Sequence, residues 1–392
     1  MIDQCIILAG GYGSRINKIT KKIPKPLIKT MNKPFLYYVI KNLYYQGIKK
    51  FIILTYYKSN FFKKKLLPHY NDIKIKIIRE KVKLGTAGSV KNIYSQLNKE
   101  FLLINGDTFF DVNIRDMEIN IKKNDLIFLA LTKKKNKNYK YKLINNKVIA
   151  ISNKSNSNLI YGGISLIKKK CLKLIKQGYS DFDSDLLNII LKQKKLSGKY
   201  YKNKFIDIGS YKDIDKLDNF LKKTLKKPTV FLDRDGVINE DYGYVFKKSK
   251  FKWKKNIFKT IKYLNDKRFY TIIITNQAGI AKGIFTEKNY KNLTNWYMKI
   301  LFREGCYLDS IYYSPFHKNG IIKKFSVDSV MRKPNTGMLK SAFKEFNIIK
   351  NRSILIGDKS TDIECGKKFG IKSYYASNNL YRQVKELTKN YK

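Results

Sequence analysis

An α/β fold repeated in two domains is what the sequence predicts, and three observations predict it. The first is a set of short apolar runs at residues 5–9, 51–54, 101–104, 229–232, 271–274 and 353–356. Each is too short for a helix and is followed at once by Gly, Thr, Asn or Asp, which is how buried strands end. The second is helix-like sequence between the runs, clearest at 35–47, where Gly47 closes the stretch. Such alternation packs as a sheet with helices against it. The third is the length of 392 residues, with room for two cores. The break falls at KLDNFLKKTLKKP, residues 216–228, a closing helix and basic connector ending at Pro228 without a Gly/Ser-rich tether. Domains are therefore expected at 1–225 and 229–392.

Composition narrows the class. The chain carries 82 Lys and Arg against 30 Asp and Glu, a formal charge of +52. Gathered in one block, such charge would indicate a nucleic-acid or membrane-surface partner. Here lysines are spread through every segment beside an excess of Ile, Asn, Tyr and Phe. All have A/T-rich codons, so base bias accounts for the charge, and neither a nucleic-acid nor a membrane partner is expected. The excess still favours anionic small molecules such as nucleotides and sugar phosphates. Cys5, Cys171, Cys306 and Cys365 form no CxxC pair, which implies neither a disulfide framework nor a zinc finger. No apolar run approaches the roughly 20 residues of a membrane span, and the N-terminus runs straight into a strand. A soluble cytoplasmic protein is expected, and nothing in the sequence specifies its oligomeric state.

The first strand runs into GGYGSR, where Gly10, Gly11 and Gly13 form a tight loop whose amides can approach a phosphate closely. A dinucleotide fingerprint fails here, because GxGxxG from Gly11 needs a glycine where Ile16 stands. Two cations follow instead: Arg15 and, in PKPL, Lys25 between two prolines. Charge-assisted bonds from both suit a triphosphate. Further on, Glu80 precedes LGTAG with its Gly85 and Thr86, and the run at 101–104 ends at Asn105, Gly106, Asp107.

LAGGYGSRINKITKKIPKPLI resembles the signature of sugar-1-phosphate nucleotidyltransferases. The resemblance implies a Rossmann-like, GT-A-like sheet and a reaction joining a sugar 1-phosphate to a nucleoside triphosphate with release of pyrophosphate. It implies Lys25 and Arg15 as catalytic cations, Gly10, Gly11 and Gly13 on the triphosphate, and Glu80, Gly85 and Thr86 around the base. There the Glu80 carboxylate suits guanine's ring N–H and amino group. Asp107, and Asp207 in FIDIGS, are implied as ligands of Mg²⁺, an octahedral ion shared with the triphosphate. Toward the sugar, Lys154 matches the family's lysine and Gly163, after Gly162, its glycine. Asn153 replaces the usual glutamate, and Asp183 in DFDSDLL stands where many members have one. No covalent intermediate is implied, since an anionic phosphate oxygen attacks the α-phosphorus directly.

In the second domain TVFLDRDGVINE delivers Asp233 and Asp235 to the carboxyl end of a strand, where open α/β sheets place their chemistry, and Gly236 turns the backbone away. Aspartates two apart at such an end suit a metal ion, nucleophilic attack on phosphorus and proton transfer. Three more places carry matching groups: Thr275, Asn276 and Gln277 after one strand, Arg332 and Lys333 in RKPNTGM, and Asp358 and Asp362 in GDKSTD.

DRDGVINEDYGYV resembles the haloacid dehalogenase superfamily of phosphatases, and within it the subgroup of heptose 1,7-bisphosphate and histidinol phosphatases. A Rossmannoid domain is implied, with Asp233 as nucleophile and Asp235 as acid, then base. Thr275 and Asn276 would hold phosphoryl oxygens, and Lys333 beside Arg332 would neutralise phosphate and nucleophile together. The implied Mg²⁺ ligands are Asp233, Asp235 and Asp358, with Asp362 near them. Members often carry a Cys/His zinc loop before RKP; this chain has Ser314, Phe316, Ser329 and Met331 there, with His317 alone. Mg²⁺ is thus expected in both domains and zinc in neither.

Together the resemblances imply consecutive steps toward a nucleotide-activated heptose, with nucleoside triphosphate and sugar phosphate as the partners. The alternatives are histidinol phosphate for the second domain and a hexose 1-phosphate for the first, given Asn153 and Asp183. From another class stands a basic nucleic-acid-binding protein with decayed enzyme domains, which retention of both acid sets opposes.

Overall fold

The computed structural model describes residues 2–67, 73–133, 140–152 and 157–391. The chain divides into two compact units, Met1–Thr224 and Leu225–Lys392.

The first unit is built on a nine-stranded sheet. Its order is Lys74–Arg79, Lys50–Thr55, Gln4–Leu8, Glu100–Asn105, Leu159–Lys168, Ile127–Lys133, Leu196–Tyr200, Lys147–Ser152 and Lys140–Ile144. The first four strands run parallel. Leu159–Lys168 enters antiparallel to both its neighbours, so the sheet is mixed. The central strands are apolar without alternation because both faces are covered: Cys5, Ile6, Ile7, Ile53 and Leu102 are all buried. Helix Phe35–Tyr45 turns Phe35, Leu36, Val39, Ile40 and Leu43 inward, at helical spacing. Gly47, at φ 92°, ends it as the sequence anticipates, its N–H donating to Tyr44 O at 2.9 Å.

Register assembles the functional edge. Leu8 pairs with both Leu54 and Asn105, so the three chain segments that follow, beginning at Ala9, Thr55 and Gly106, emerge side by side. A small antiparallel pair, Thr108–Phe110 with Phe205–Asp207, sets Asp207 opposite Thr108, next to Asp107. One feature of this half departs from simple strand–helix alternation. A hairpin of Lys29–Thr30 and Lys33–Pro34 turns through Met31 (φ 44°) and Asn32 (φ 67°), and no glycine announces it.

The second unit has a five-stranded parallel sheet in the order Ser310–Ser314, Tyr270–Asn276, Thr229–Leu232, Ile354–Gly357, Lys372–Tyr375. Thr229–Leu232 is central and wholly buried. Val230, Leu232, Ile261, Leu264, Ile273, Leu293 and Ile356 belong to one apolar core between sheet and helices. Leu232 pairs with Ile273 and Ile356, which brings Asp233, the strand end at Thr275–Gln277 and Asp358 to one edge. The cysteines, Cys5 and Cys171 in the first unit and Cys306 and Cys365 in the second, are all buried with free thiols. No helix among the described residues is long and apolar enough to cross a membrane.

Candidate active sites

In the first unit the strand ends open into a cavity of about 320 Å³ lined by Gly10, Gly11, Gly13, Lys25, Glu80, Gly85, Thr86 and Asp107 among others. Gly13 is left-handed at φ 68°, and a Cβ there would strike Thr20 and the Lys25 side chain. The tight loop therefore packs directly on the lysine stem. Lys25 is buried, its Nζ 3.5 Å from Asp107 Oδ2. Burial and the neighbouring Asp207 push the Asp107 carboxyl above its usual range, while Lys25 opposes the shift. Glu80 is also buried, with Oε1 lacking a hydrogen-bond partner among the described residues. Burial raises its pKa, against the Ser89 hydroxyl. An unpartnered carboxylate oxygen in a cavity wall is a strong acceptor awaiting a donor.

Several predicted residues lie elsewhere. Arg15 is exposed, its guanidinium beside Gly209, two residues past Asp207. Gly163, at φ 73°, packs on the Thr108 side chain. Asp183, expected at the sugar, accepts from the Tyr141 hydroxyl at 3.0 Å, and Asp181 lines the cavity instead. The cause is a widened turn, Phe182–Leu186, in which Leu186 N–H reaches back to Asp181 O (3.2 Å). Asn153 and Lys154 lie outside the described residues. Tyr12, Tyr56, Ser89 and Tyr179 also line the cavity without having been singled out. Tyr12 inside the glycine loop was the available signal.

In the second unit Asp233, Asp358 and Asp362 present carboxylate oxygens within 4.8 Å of one another. Lys333, fully buried, places Nζ 3.0 Å from Asp233 Oδ1 and 2.5 Å from Asp362 Oδ1. It also donates to Ile274 O at 2.9 Å. Burial and Asp362 raise the Asp233 carboxyl against the pull of Lys333. Asp358, with Oδ1 buried and unpartnered among the described residues, is pushed up to about 6 by burial and by Asp233. Gly236, at φ 79°, allows this approach, since a Cβ would collide with the Asp358 carboxylate.

The Asp235 side chain lies outside the cluster of carboxylate oxygens, and Asp362 belongs to it. Arg234 Nε and Nη2 grip Asp235 at 2.7–3.1 Å, with Asn239 Nδ2 at 2.9 Å and Gln277 Nε2 at 3.0 Å. The Asn276 amide is spent on the Lys333 backbone, accepting its N–H and donating to its carbonyl, both at 3.0 Å. Thr275 Oγ1 is buried and accepts from Gln277 Nε2 at 3.0 Å. Arg332 is half-buried and donates from Nη1 to Phe316 O at 3.2 Å. The segment from Ser314 to Met331 is tied by backbone and ring contacts: Phe316 meets Phe325 with centroids 6.0 Å apart, His317 N–H donates to Phe325 O, and Asn335 Nδ2 to Ser329 O. Arg234 and Asn239 had no predicted role, although both are polar residues in a motif flanked by apolar ones.

Strand-end glycines over a lysine–aspartate pair, and a separate buried Asp–Lys–Asp cluster on a parallel sheet, define a two-unit enzyme of phosphorus chemistry. Residues 4–224 match the nucleotidyl transferase family, and residues 330–391 the HAD-hydrolase-like family. The D-glycero-alpha-D-manno-heptose-1,7-bisphosphate 7-phosphatase of Photorhabdus laumondii is 41% identical over 146 residues, 37% of this chain and 80% of that protein. The D-glycero-beta-D-manno-heptose-1,7-bisphosphate 7-phosphatase of Haemophilus influenzae is 38% identical over 159 residues, 41% and 84% of the two chains. Among solved structures, HddC from Yersinia pseudotuberculosis has 26% identity and a TM-score of 0.50, covering 56% of this chain and 99% of its own. The T. maritima inositol-1-phosphate CTP transferase, 18% identical with a TM-score of 0.50 over 60% of this chain and 98% of its own, shares the fold. The chain belongs to the nucleotidyl transferase family through its first unit and to the haloacid dehalogenase-like phosphatases through its second.

Proposed function

We propose that the second unit removes the 7-phosphate of D-glycero-D-manno-heptose 1,7-bisphosphate, and that the first transfers GMP from GTP to the resulting heptose 1-phosphate, releasing pyrophosphate. What carries the reading is the joining, in one chain, of a unit 41% identical to a heptose bisphosphate 7-phosphatase with a nucleotidyl transferase unit. In this reading the phosphatase acts first and leaves the 1-phosphate as the nucleophile for the transferase.

In the phosphatase step an Asp233 oxygen attacks phosphorus as the bond to the sugar oxygen breaks, and Asp235 protonates that oxygen. Water then attacks the aspartyl phosphate, gives its proton to Asp235, and phosphate leaves with Asp233 restored. Lys333 offsets the charge that builds on nucleophile and phosphoryl group. In the transferase step the sugar-phosphate oxygen attacks the α-phosphorus and the bond to pyrophosphate breaks. Lys25 and the glycine-loop amides hold the leaving charge, and Arg15, outside the cavity lining, is the second cation this reading assigns to the triphosphate. Glu80 favours guanine, whose ring N–H and amino group offer the donors that its Oε1 lacks.

Mg²⁺ fits both donor sets, which are carboxylate oxygens only, crowded against burial, with Asp358 Oδ1 left unpartnered. When bound, held by Asp233, Asp358 and Asp362 or by Asp107 and Asp207, it would neutralise phosphate charge and fix its geometry.

The test is mass spectrometry of products from α- and β-heptose 1,7-bisphosphate with Mg²⁺ and each nucleoside triphosphate, beside Asp233→Asn and Lys25→Ala. GDP-heptose from GTP, lost in either variant, is expected, and the productive anomer identifies the natural substrate. Phosphate release without any nucleotide sugar would overturn the transferase half, and no product at all would overturn the heptose reading.

A further inference from the structure

Arg234, the residue between the two motif aspartates, is 1% exposed. A buried guanidinium needs strong compensation, and a buried ion pair seldom adds net stability over apolar packing. Its bonds are unevenly shared. Nε and Nη2 address Asp235, Nη2 also reaches Val245 O at 2.8 Å, and Nη1 is buried without a partner among the described residues. Three of the four side-chain hydrogen bonds of the planar fork go to one carboxyl group, the fourth to Val245 O, and the guanidinium lies over the Tyr290 ring with its carbon 5.8 Å from the centroid.

The two Asp235 oxygens are treated differently. Oδ1 accepts from Arg234 Nε, Arg234 Nη2 and Asn239 Nδ2. Among the described residues Oδ2 accepts from Arg234 Nη2 and Gln277 Nε2, and the side chain keeps 15% exposure. Oδ1 takes three donors and Oδ2 two, so Oδ2 is the less crowded oxygen of a side chain that still reaches solvent.

We propose that Arg234 is a positioning residue for the phosphatase reaction: it fixes the plane of the Asp235 carboxyl group so that Oδ2 alone exchanges a proton with the leaving sugar oxygen and then with water. This rests on the phosphatase reading above. Arg234 touches neither substrate nor phosphorus, so its loss impairs leaving-group protonation while phosphate binding and nucleophilic attack persist.

The experiment compares two esters, a sugar phosphate whose alkoxide needs a proton and 2,4-dinitrophenyl phosphate whose phenolate does not, with the full chain and Mg²⁺. In single-turnover measurements of the first step, before water is activated, Arg234→Met is expected to slow release of the sugar about 100-fold, the scale of general acid catalysis, and the burst of 2,4-dinitrophenolate less than about threefold, while the later hydrolysis of the aspartyl phosphate slows equally for both esters. Added to Asp235→Asn, it should cause no further loss on the sugar ester. Arg234→Lys keeps the charge without the fork and carries the same comparison if the methionine variant does not fold. Equal losses on the two esters in that first step, or additive losses with Asp235→Asn, would overturn the positioning role and leave the phosphatase reading standing. A wild-type chain that hydrolyses neither ester would overturn both.

Discussion

Replacing Lys333 by methionine tests the buried charge cluster most directly. The ammonium lies 3.0 Å from Asp233 Oδ1 and 2.5 Å from Asp362 Oδ1. At an effective dielectric near 20, one unit-charge pair at the longer distance attracts by about 5 kcal/mol. Desolvation of the lysine offsets much of that, but methionine leaves the carboxylates facing one another and the Ile274 carbonyl unpaired. Breaking a buried pair in this way costs about 3–5 kcal/mol. With a urea dependence of about 2 kcal/mol per molar, the midpoint should fall by about 2 M. Both tryptophans, Trp253 and Trp296, lie in the second unit and pack around Phe251. Intrinsic fluorescence excited at the red edge therefore reports this unit selectively. The companion variant Lys333→Met/Asp362→Asn removes one of the repelling charges and should recover at least about 1.5 kcal/mol of the loss. A midpoint shift below about 0.5 M in metal-free buffer, or strict additivity of the two changes, would refute the account of a cation holding mutually repelling acids together.

Three other outcomes are expected. Lys25→Ala should reduce nucleotidyl transfer at least about 100-fold in product assays, with phosphate release unchanged, while the exposed Lys18→Ala alters neither by more than about twofold. Glu80→Gln should lower kcat/KM for GTP about 10- to 100-fold, the worth of a charged hydrogen bond, with ATP turnover unaffected. Because Asp358 is raised from 3.8 to about 6, a proton competes with Mg²⁺ below that value. The Mg²⁺ concentration for half-maximal phosphatase activity should therefore be flat above about pH 7 and rise as pH falls through about 6.

The strand ends were legible because burial and chemistry leave opposite marks: an apolar run such as 229–232 or 101–104, then abrupt Gly, Asp or Asn. Asp107, Asp233 and Asp358 followed from those junctions, Lys25 from its place between two prolines and Lys333 from the RKPNTGM match, and the structure brings Lys25 to Asp107 and Lys333 to Asp233. Side-chain direction was not legible. Asp181 and Asp183 are chemically identical and two apart, and only an i→i+5 turn decides which faces the cavity. Asn276 has four hydrogen-bonding capacities, and no pattern indicates that the Lys333 backbone uses it. Arg234 reads as one more cation among 82 until the guanidinium is seen turned inward. Its commitment depends on the path of residues 239–245, and no local rule specifies that path.

The four thiols have a practical consequence. A thiolate is the form that reacts with alkylating agents, and burial both hides each sulfur and pushes Cys171 and Cys306 up to about 12. Labelling is thus confined to molecules that have opened. With Cys5 and Cys171 on one side of the division and Cys306 and Cys365 on the other, peptide mapping after brief alkylation reads two opening equilibria from one sample. The native chain thereby carries a separate clock for each catalytic unit, with no dye or engineered label.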